Sequence, residues 1–292
     1  MNSNDFLQCV IFRVPPQYVD HFTLAIEAHV DSVAWKALET ETEIQITCYV
    51  QDVVKEGVVR QVVRDAAEYA GFPVPEIEFS RIPPQNWVAQ NIKQFLPVTA
   101  GRFFVHNIDR QHSEPYAKFM LRVPAGEAFG TGGHGSTKGC LLALDRLRDK
   151  QIRTALDMGC GSGILSLAIA RRWKCKVDAS DIDAIAGRIT LGNASVNGLR
   201  RFLVVHTGPG YQNRRLKNRQ YDLIVSNILA RPLMHLSRAL SLRVAPGGVA
   251  ILAGLLVTQE AQIISTHRRH GLHLDCRIEV EGWSTLVFRR RS

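Results

Sequence analysis

The run Leu156-Asp157-Met158-Gly159-Cys160-Gly161-Ser162-Gly163 constrains this chain more than any other stretch. Thr154 to Met158 is a short apolar run of buried-strand type, three glycines follow at alternate positions, and Ile164 to Trp173 reads as a helix. Strand, tight turn and helix start bring unpaired N–H groups to a place where, with no Cβ in the way, a ligand can come close to the backbone. A second strand, Lys176 to Ser180, ends in Asp181, eighteen residues past Gly163, where a carboxylate can accept hydrogen bonds from a ribose diol. The spacing is G-x-G-x-G, not the G-x-G-x-x-G of dinucleotide enzymes. With strand, helix and terminal acid in place, it points to a nucleotide-like cofactor over an ordinary glycine turn.

A chain of 292 residues holds one or two domains. No apolar stretch reaches membrane-spanning length, and the first residues lack the layout of a secretion signal, which predicts a cytoplasmic protein with no membrane contact. Cys9, Cys48, Cys140, Cys160, Cys175 and Cys276 form no C-x-x-C pair and read as reduced, mostly buried thiols. The histidines show no metal-ligand spacing, so no metal is expected. The net charge of +9 favours an acidic partner, either nucleic acid or an acidic protein face. Arg289-Arg290-Arg291 reads as a solvated tail.

The first 82 residues alternate in the order βαββαβ, a ferredoxin-like arrangement. The expected elements are a strand over Leu7 to Val14, a helix over Gln17 to Val30, strands over Ser32 to Leu38 and Ile44 to Val50, a helix over Val53 to Ala70, and a strand over Pro75 to Ile82. Tyr18, Phe22 and Ile26 mark the apolar face of the first helix; Val54, Val58, Val62, Ala66 and Tyr69 mark that of the second. No catalytic or metal cluster falls in this part, which suits a binding or orienting module. Pro83-Pro84 marks a joint, and Asn86 to Phe95 suits a short linking helix.

Strands are expected at Gly101 to His106 and Phe119 to Val123. A glycine-rich loop from Gly126 then runs into a helix over Lys138 to Arg148, and Thr137 at its start can cap that helix or touch a ligand. From Thr154 strands and helices alternate, closing on two final strands at Asp275 to Val280 and Ser284 to Arg289, which predicts a parallel sheet with helices on both faces. Ligands collect at the carboxyl ends of such strands, where Gly159, Asp181 and Asn227 all fall. The Asn227 side chain can accept N–H bonds from an amine, or it can cap the helix that follows.

The glycine turn and Asp181 resemble motifs one and two of the S-adenosylmethionine-dependent methyltransferases with a Rossmann-like fold. The run Ala128-Phe129-Gly130-Thr131-Gly132 with His134 and Thr137, the D-x-G-C-G-S-G-I-L stretch that follows, and Ser226-Asn227-Ile228-Leu229-Ala230 narrow the resemblance to the ribosomal protein L-eleven methyltransferase family, PrmA. Gly135-Ser136 stands where that family has Pro-Thr, and Arg231 where it has Gly.

The resemblance implies an α/β chain with a Rossmann-like class I methyltransferase domain over residues 99–292. Before it would come a small N-terminal ferredoxin-like α+β domain for substrate recognition (1–82) and a linker (83–98). It implies methyl transfer from S-adenosyl-L-methionine to a lysine or α-amino nitrogen of ribosomal protein L-eleven. A related branch, acting on lysines of the electron transfer flavoprotein beta subunit, is the alternative acceptor.

Thr137, Gly159, Asp181 and Asn227 match the family's cofactor contacts, and Gly161 and Gly163 join them by the turn geometry. Asn227 is the candidate catalytic residue, Phe129 and His134 are candidates for the substrate rim, and Asp157 reads as a brace of the glycine loop. A nucleic acid acceptor is disfavoured, because Ile228-Leu229 and no aromatic follows Asn227 where base-modifying enzymes stack a flipped base. The intact glycine turn, Asp181 and Asn227 argue against a degenerate, non-catalytic module.

Overall fold

The structure is a computed structural model that describes residues 7–26, 29–30, 32–37, 43–50, 56–82, 97–107, 118–124, 135–147, 151–213 and 215–291. The chain divides into two compact units, 1–91 and 92–292. The proposed linking helix from Asn86 to Phe95 lies outside the described residues, as do Phe129 and His134.

In the first unit β1 (Leu7–Val14), β2 (Ser32–Ala37), β3 (Ile44–Val50) and β4 (Glu78–Ile82) form one antiparallel sheet in the order β2-β3-β1-β4. Val10, Phe12 and Val14 alternate inward from β1 and meet Phe22 and Ile26 of α1 (Val19–Ile26). A 3-10 turn at Pro16–Tyr18 precedes α1, so the regular helix is shorter than its periodicity predicts.

Helix α2 (Glu56–Ala70) corrects one expectation. It buries Val59, Val63, Ala66 and Ala67, while Val58 is exposed, Val62 is half-buried and Tyr69 lies on the surface, stacked on His21. Adjacent valines at 58–59 and 62–63 offer two stripes of the same period, and the one nearer the small Ala66-Ala67 pair can approach the sheet more closely. Val54 lies outside the described residues.

The second unit opens with a small sheet of three strands, one more than the two expected there. β5 (Val98–Ala100) pairs antiparallel with β6 (Phe103–Asn107), which pairs parallel with β7 (Phe119–Val123). The main sheet holds β8 (Thr154–Met158), β9 (Lys176–Asp181), β10 (Leu203–Thr207), β11 (Tyr221–Asn227), β12 (Val244–Leu256), β13 (Leu272–Val280) and β14 (Trp283–Arg290) in the order β10-β9-β8-β11-β12-β14-β13.

The first five strands of that order are parallel, as expected, but β14 runs antiparallel to both β12 and β13. Only Glu281 and Gly282 separate β13 from β14, which leaves room for a hairpin and none for a crossover helix. Arg289 and Arg290 therefore belong to a strand; Arg289 pairs with Asp275 at 2.8 Å, and Arg290 donates to the carbonyls of Ser241 and Val244.

Helices α3 (Gly135–Arg146), α4 (Ile164–Trp173) and α5 (Ala184–Val196) cover one face of the sheet; α6 (Ala230–Arg243) and α7 (Glu260–Arg268) cover the other. Consecutive strands β8 and β9 are neighbours, but the chain then returns from β10 to the far side of β8 to lay down β11. That reversal opens a crevice at the carboxyl ends of β8, β9 and β11. Among the described residues no helix is long and apolar enough to cross a membrane.

Candidate active site

The crevice is built from backbone first. Gly159, Gly161 and Gly163 all have positive φ, at 78°, 51° and 78°. A Cβ on Gly159 would collide with the Ile228 side chain, and one on Gly163 would lie 2.7 Å from Thr190 Cγ2. At these two positions the missing side chain lets the turn pack against its own protein, a reason that adds to any ligand's approach.

The turn is fixed to β9 by Gly159 and Cys160, whose N–H groups both donate to the Ser180 carbonyl at 2.8 and 3.1 Å. Gly163 starts α4 without a side-chain cap, and Asp157 makes good part of the loss. Its Oδ2 accepts from Ser166 N at 2.9 Å and Ser166 Oγ at 2.6 Å. Asp157 thus braces the start of α4, and through it the turn. Burial pushes its carboxyl up to about 6, against the pull of the Ser166 bonds and with a small push from the Asp181 charge. Burial likewise pushes the Cys160 thiol far up, which leaves an inert side chain inside the turn.

Asp181 closes the second side. Its Oδ2 accepts from Gly161 N at 2.9 Å and its Oδ1 from Asp183 N at 3.0 Å. The residue is half-buried, and each oxygen has a second lone pair. Ile182 beside it is 77% exposed, an apolar side chain held at the crevice mouth. An acid with free acceptor capacity, next to an apolar side chain and a glycine turn, fits the ribose and base of a nucleoside.

Asn227 closes the third side. It is the last residue of β11, and its neighbour Ser226 bonds the Met158 carbonyl at 2.9 Å, tying the ends of β11 and β8 together. Asn227 does not cap α6, whose N-cap is Leu229. Its Nδ2 donates to Thr137 Oγ1 at 3.1 Å, which leaves Oδ1 as an acceptor toward an incoming N–H. Thr137 is fully buried and lies inside the first turn of α3, because that helix begins at Gly135 and not at Lys138. Its hydroxyl holds Asn227 across 90 residues of chain.

Of the residues singled out from sequence, Gly161 bonds Asp181 and Asn227 bonds Thr137 directly, while Gly159 is tied to the two pairs through their neighbours Ser180 and Ile228, and Gly163 continues the same turn.

These observations can be set beside known proteins. The family model described as Ribosomal protein L11 methyltransferase (PrmA) matches residues 19–291. The chain belongs to that family. A ribosomal protein L11 methyltransferase of Rhizobium leguminosarum bv. trifolii is 40% identical over 238 residues, 80% of this chain and 81% of that protein. One of Agrobacterium fabrum is 39% identical over 222 residues, 75% of this chain and 76% of that protein. The solved structure of a ribosomal protein L11 methylase from Lactobacillus delbrueckii subsp. bulgaricus matches with a TM-score of 0.60 at 24% identity, covering 67% of this chain and 99% of that one. The fold is that of the Rossmann-like methyltransferases, and the chain is a methyltransferase.

Two residues of this PrmA-family site were missed in the sequence. Thr190 Oγ1 donates to the Gly161 carbonyl at 3.1 Å, and Asn193 Nδ2 donates to the Ser162 carbonyl at 2.8 Å. Both are buried and both sit on α5, so the helix after Asp181 clamps the glycine turn from behind. Their signal was a polar pair at i and i+3 among the small apolar residues of a helix face.

Proposed function

We propose that this enzyme transfers a methyl group from S-adenosyl-L-methionine to an amine of ribosomal protein L11, a lysine side chain or the α-amino group. The observation that carries the reading is the pair of bonds Gly161–Asp181 and Asn227–Thr137 on the two sides of one crevice, in a chain of the PrmA family. S-adenosyl-L-methionine, when bound, supplies the sulfonium methyl for an in-line displacement.

In this proposal Asp181 receives the ribose diol, and Gly159, Gly161 and Gly163 pass beneath the methionine end. Thr137 orients Asn227. Asn227 Oδ1 accepts an N–H of the acceptor amine and aims its lone pair at the methyl. An ordinary lysine has a pKa of about 10.4, so presenting it as the free amine at pH 7 costs about 4–5 kcal/mol. A crevice lined by Ile182, Ile228 and Leu229 lowers that cost, because an apolar surround disfavours the ammonium form. Phe129 and His134 are assigned to the rim on which the acceptor protein rests. Residues 1–82 would form the substrate-recognition domain, 83–98 the linker and 99–292 the catalytic domain, working in the cytoplasm.

The relatives named above support ribosomal protein L11 and give no support to the flavoprotein acceptor. Incubation with methyl-labelled S-adenosyl-L-methionine and, separately, purified ribosomal protein L11, flavoprotein beta subunit and total RNA tests the reading. Label in ribosomal protein L11 is expected. Label only in the flavoprotein subunit or in RNA contradicts the assigned acceptor, and no label in any arm contradicts the activity.

A further inference from the structure

The chain carries a net charge of +9, and a row of its cations stands at the end of the sheet opposite the crevice. Across four neighbouring strands the chain enters the sheet on cations. Arg200 and Arg201 precede β10, Lys174 and Lys176 flank the start of β9, Arg153 precedes β8 and Arg219 precedes β11; all six are exposed. The register sets Thr154 beside Lys176 and Val177 beside Leu203, and Lys176 Nζ donates to the Arg201 carbonyl at 2.8 Å, so these starts lie side by side. At about 4.8 Å per strand, the row spans about 15 Å.

Among the described residues, the carboxylates in or beside these strand starts are both engaged within the protein. Asp222 accepts from Arg153 N, Thr154 N and Thr154 Oγ1. Asp178 is buried, bonding His206, Tyr221 and Arg219, whose side chain is still 59% exposed. The crevice end is more balanced, since Asp181, Asp183 and Glu281 accompany Arg188 and Arg231 there.

We propose that this basic edge is a second, non-catalytic binding surface for the phosphate backbone of RNA. Four of its six cations are arginines, whose forked donors match phosphate oxygens. The exposed large apolar side chains nearest to it are Val204 and Leu242, too few for the desolvated centre of a protein interface or for insertion into lipid. The surface lies apart from the methyl-transfer site and acts as a tether; it makes no use of RNA as an acceptor.

The test is fluorescence anisotropy of the full chain with a short labelled single-stranded RNA across a salt series. Parallel arms use phosphatidylserine-containing phosphatidylcholine vesicles and polyglutamate. The variant Arg153→Gln/Lys176→Gln/Arg200→Gln/Arg201→Gln is expected to bind RNA at least about tenfold more weakly at low salt, with the slope of log affinity against log salt smaller by about three. The variant Arg153→Lys/Arg200→Lys/Arg201→Lys, which keeps the charge, is expected to keep most of the slope.

If circular dichroism shows the glutamine variant unfolded, Lys174→Gln/Arg200→Gln, two exposed cations of the same edge, replaces it, with a slope smaller by about one. Absence of RNA binding by the parent chain, equal binding by a folded glutamine variant, or vesicles or polyglutamate binding as tightly as RNA would each overturn the proposal.

Discussion

Gly161 donates its N–H to Asp181 Oδ2 at 2.9 Å, so the turn that ends β8 and the acid that ends β9 form one hydrogen-bonded unit. The acid proposed to hold the ribose also holds the loop on which the rest of the ligand would lie. Replacing Asp181 with Ala should therefore remove a ligand acceptor and loosen the turn together. A hydrogen bond to a charged group is worth about 1.5–3 kcal/mol, so affinity for S-adenosylhomocysteine is expected to fall about 10- to 100-fold by isothermal titration calorimetry. Unchanged affinity would refute the role given to Asp181.

Asn227 and Thr137 should separate in their kinetics. Asn227→Ala removes the amide proposed to aim the amine and should lower kcat by at least about 100-fold, with a smaller effect on the KM for the methyl donor. Thr137→Val leaves Asn227 in place without its 3.1 Å partner, and a loss of about 3- to 30-fold in kcat is expected from a misaimed amide. Equal effects of both variants on KM alone would mean that the pair only binds cofactor.

Asn193 acts on the site through the turn. Its bond to the Ser162 carbonyl is buried, and Asn193→Leu removes that bond. A stability loss of about 1–3 kcal/mol in urea is expected, along with a raised KM for the methyl donor and little change in kcat. A change in kcat without one in KM would place Asn193 elsewhere in the mechanism.

Asp157 carries a pH dependence. Its carboxyl ionises near 6 when folded and at about 3.9 when unfolded. The folded state therefore holds the proton more tightly. The group contributes stability that is full below about pH 4 and is lost as pH rises through about 6. Asp157→Asn cannot titrate. Between about pH 5 and about pH 7.5 the stability of the variant should rise relative to the parent by about 1–1.5 kcal/mol, read from urea unfolding at each pH. A difference independent of pH would show that Asp157 is not pushed up by its burial.

The parts of the site that were legible in the sequence are those whose grammar is local. Thr154 to Trp173 spells strand, glycine turn and helix within 20 residues, and Asp181 follows at the end of the next strand; the structure has these elements at Thr154–Met158, Ile164–Trp173 and Lys176–Asp181. Thr190 and Asn193 escaped notice because their partners lie about 30 positions away and only the packing of α5 behind the turn reveals them. Helix α3 starts before Lys138, where propensity puts it, because packing overrides the weak helix propensity of Gly135 and Ser136. In α2 the choice between Val58 and Val59 needed the neighbouring sheet, since periodicity alone serves both. The antiparallel β14 follows from a two-residue connection whose meaning depends on where β13 ends.

The central claim is that a single crevice, bounded by the 159–163 turn, Asp181 and Asn227, holds the methyl donor. A crystal structure of the chain with S-adenosylhomocysteine tests it most directly. The account predicts the ribose diol on Asp181, the homocysteine end over the glycine turn, and the sulfur facing the side of Asn227 that bears Oδ1. A product seated anywhere else on the chain, or a crevice that excludes it at saturating concentration, would contradict it.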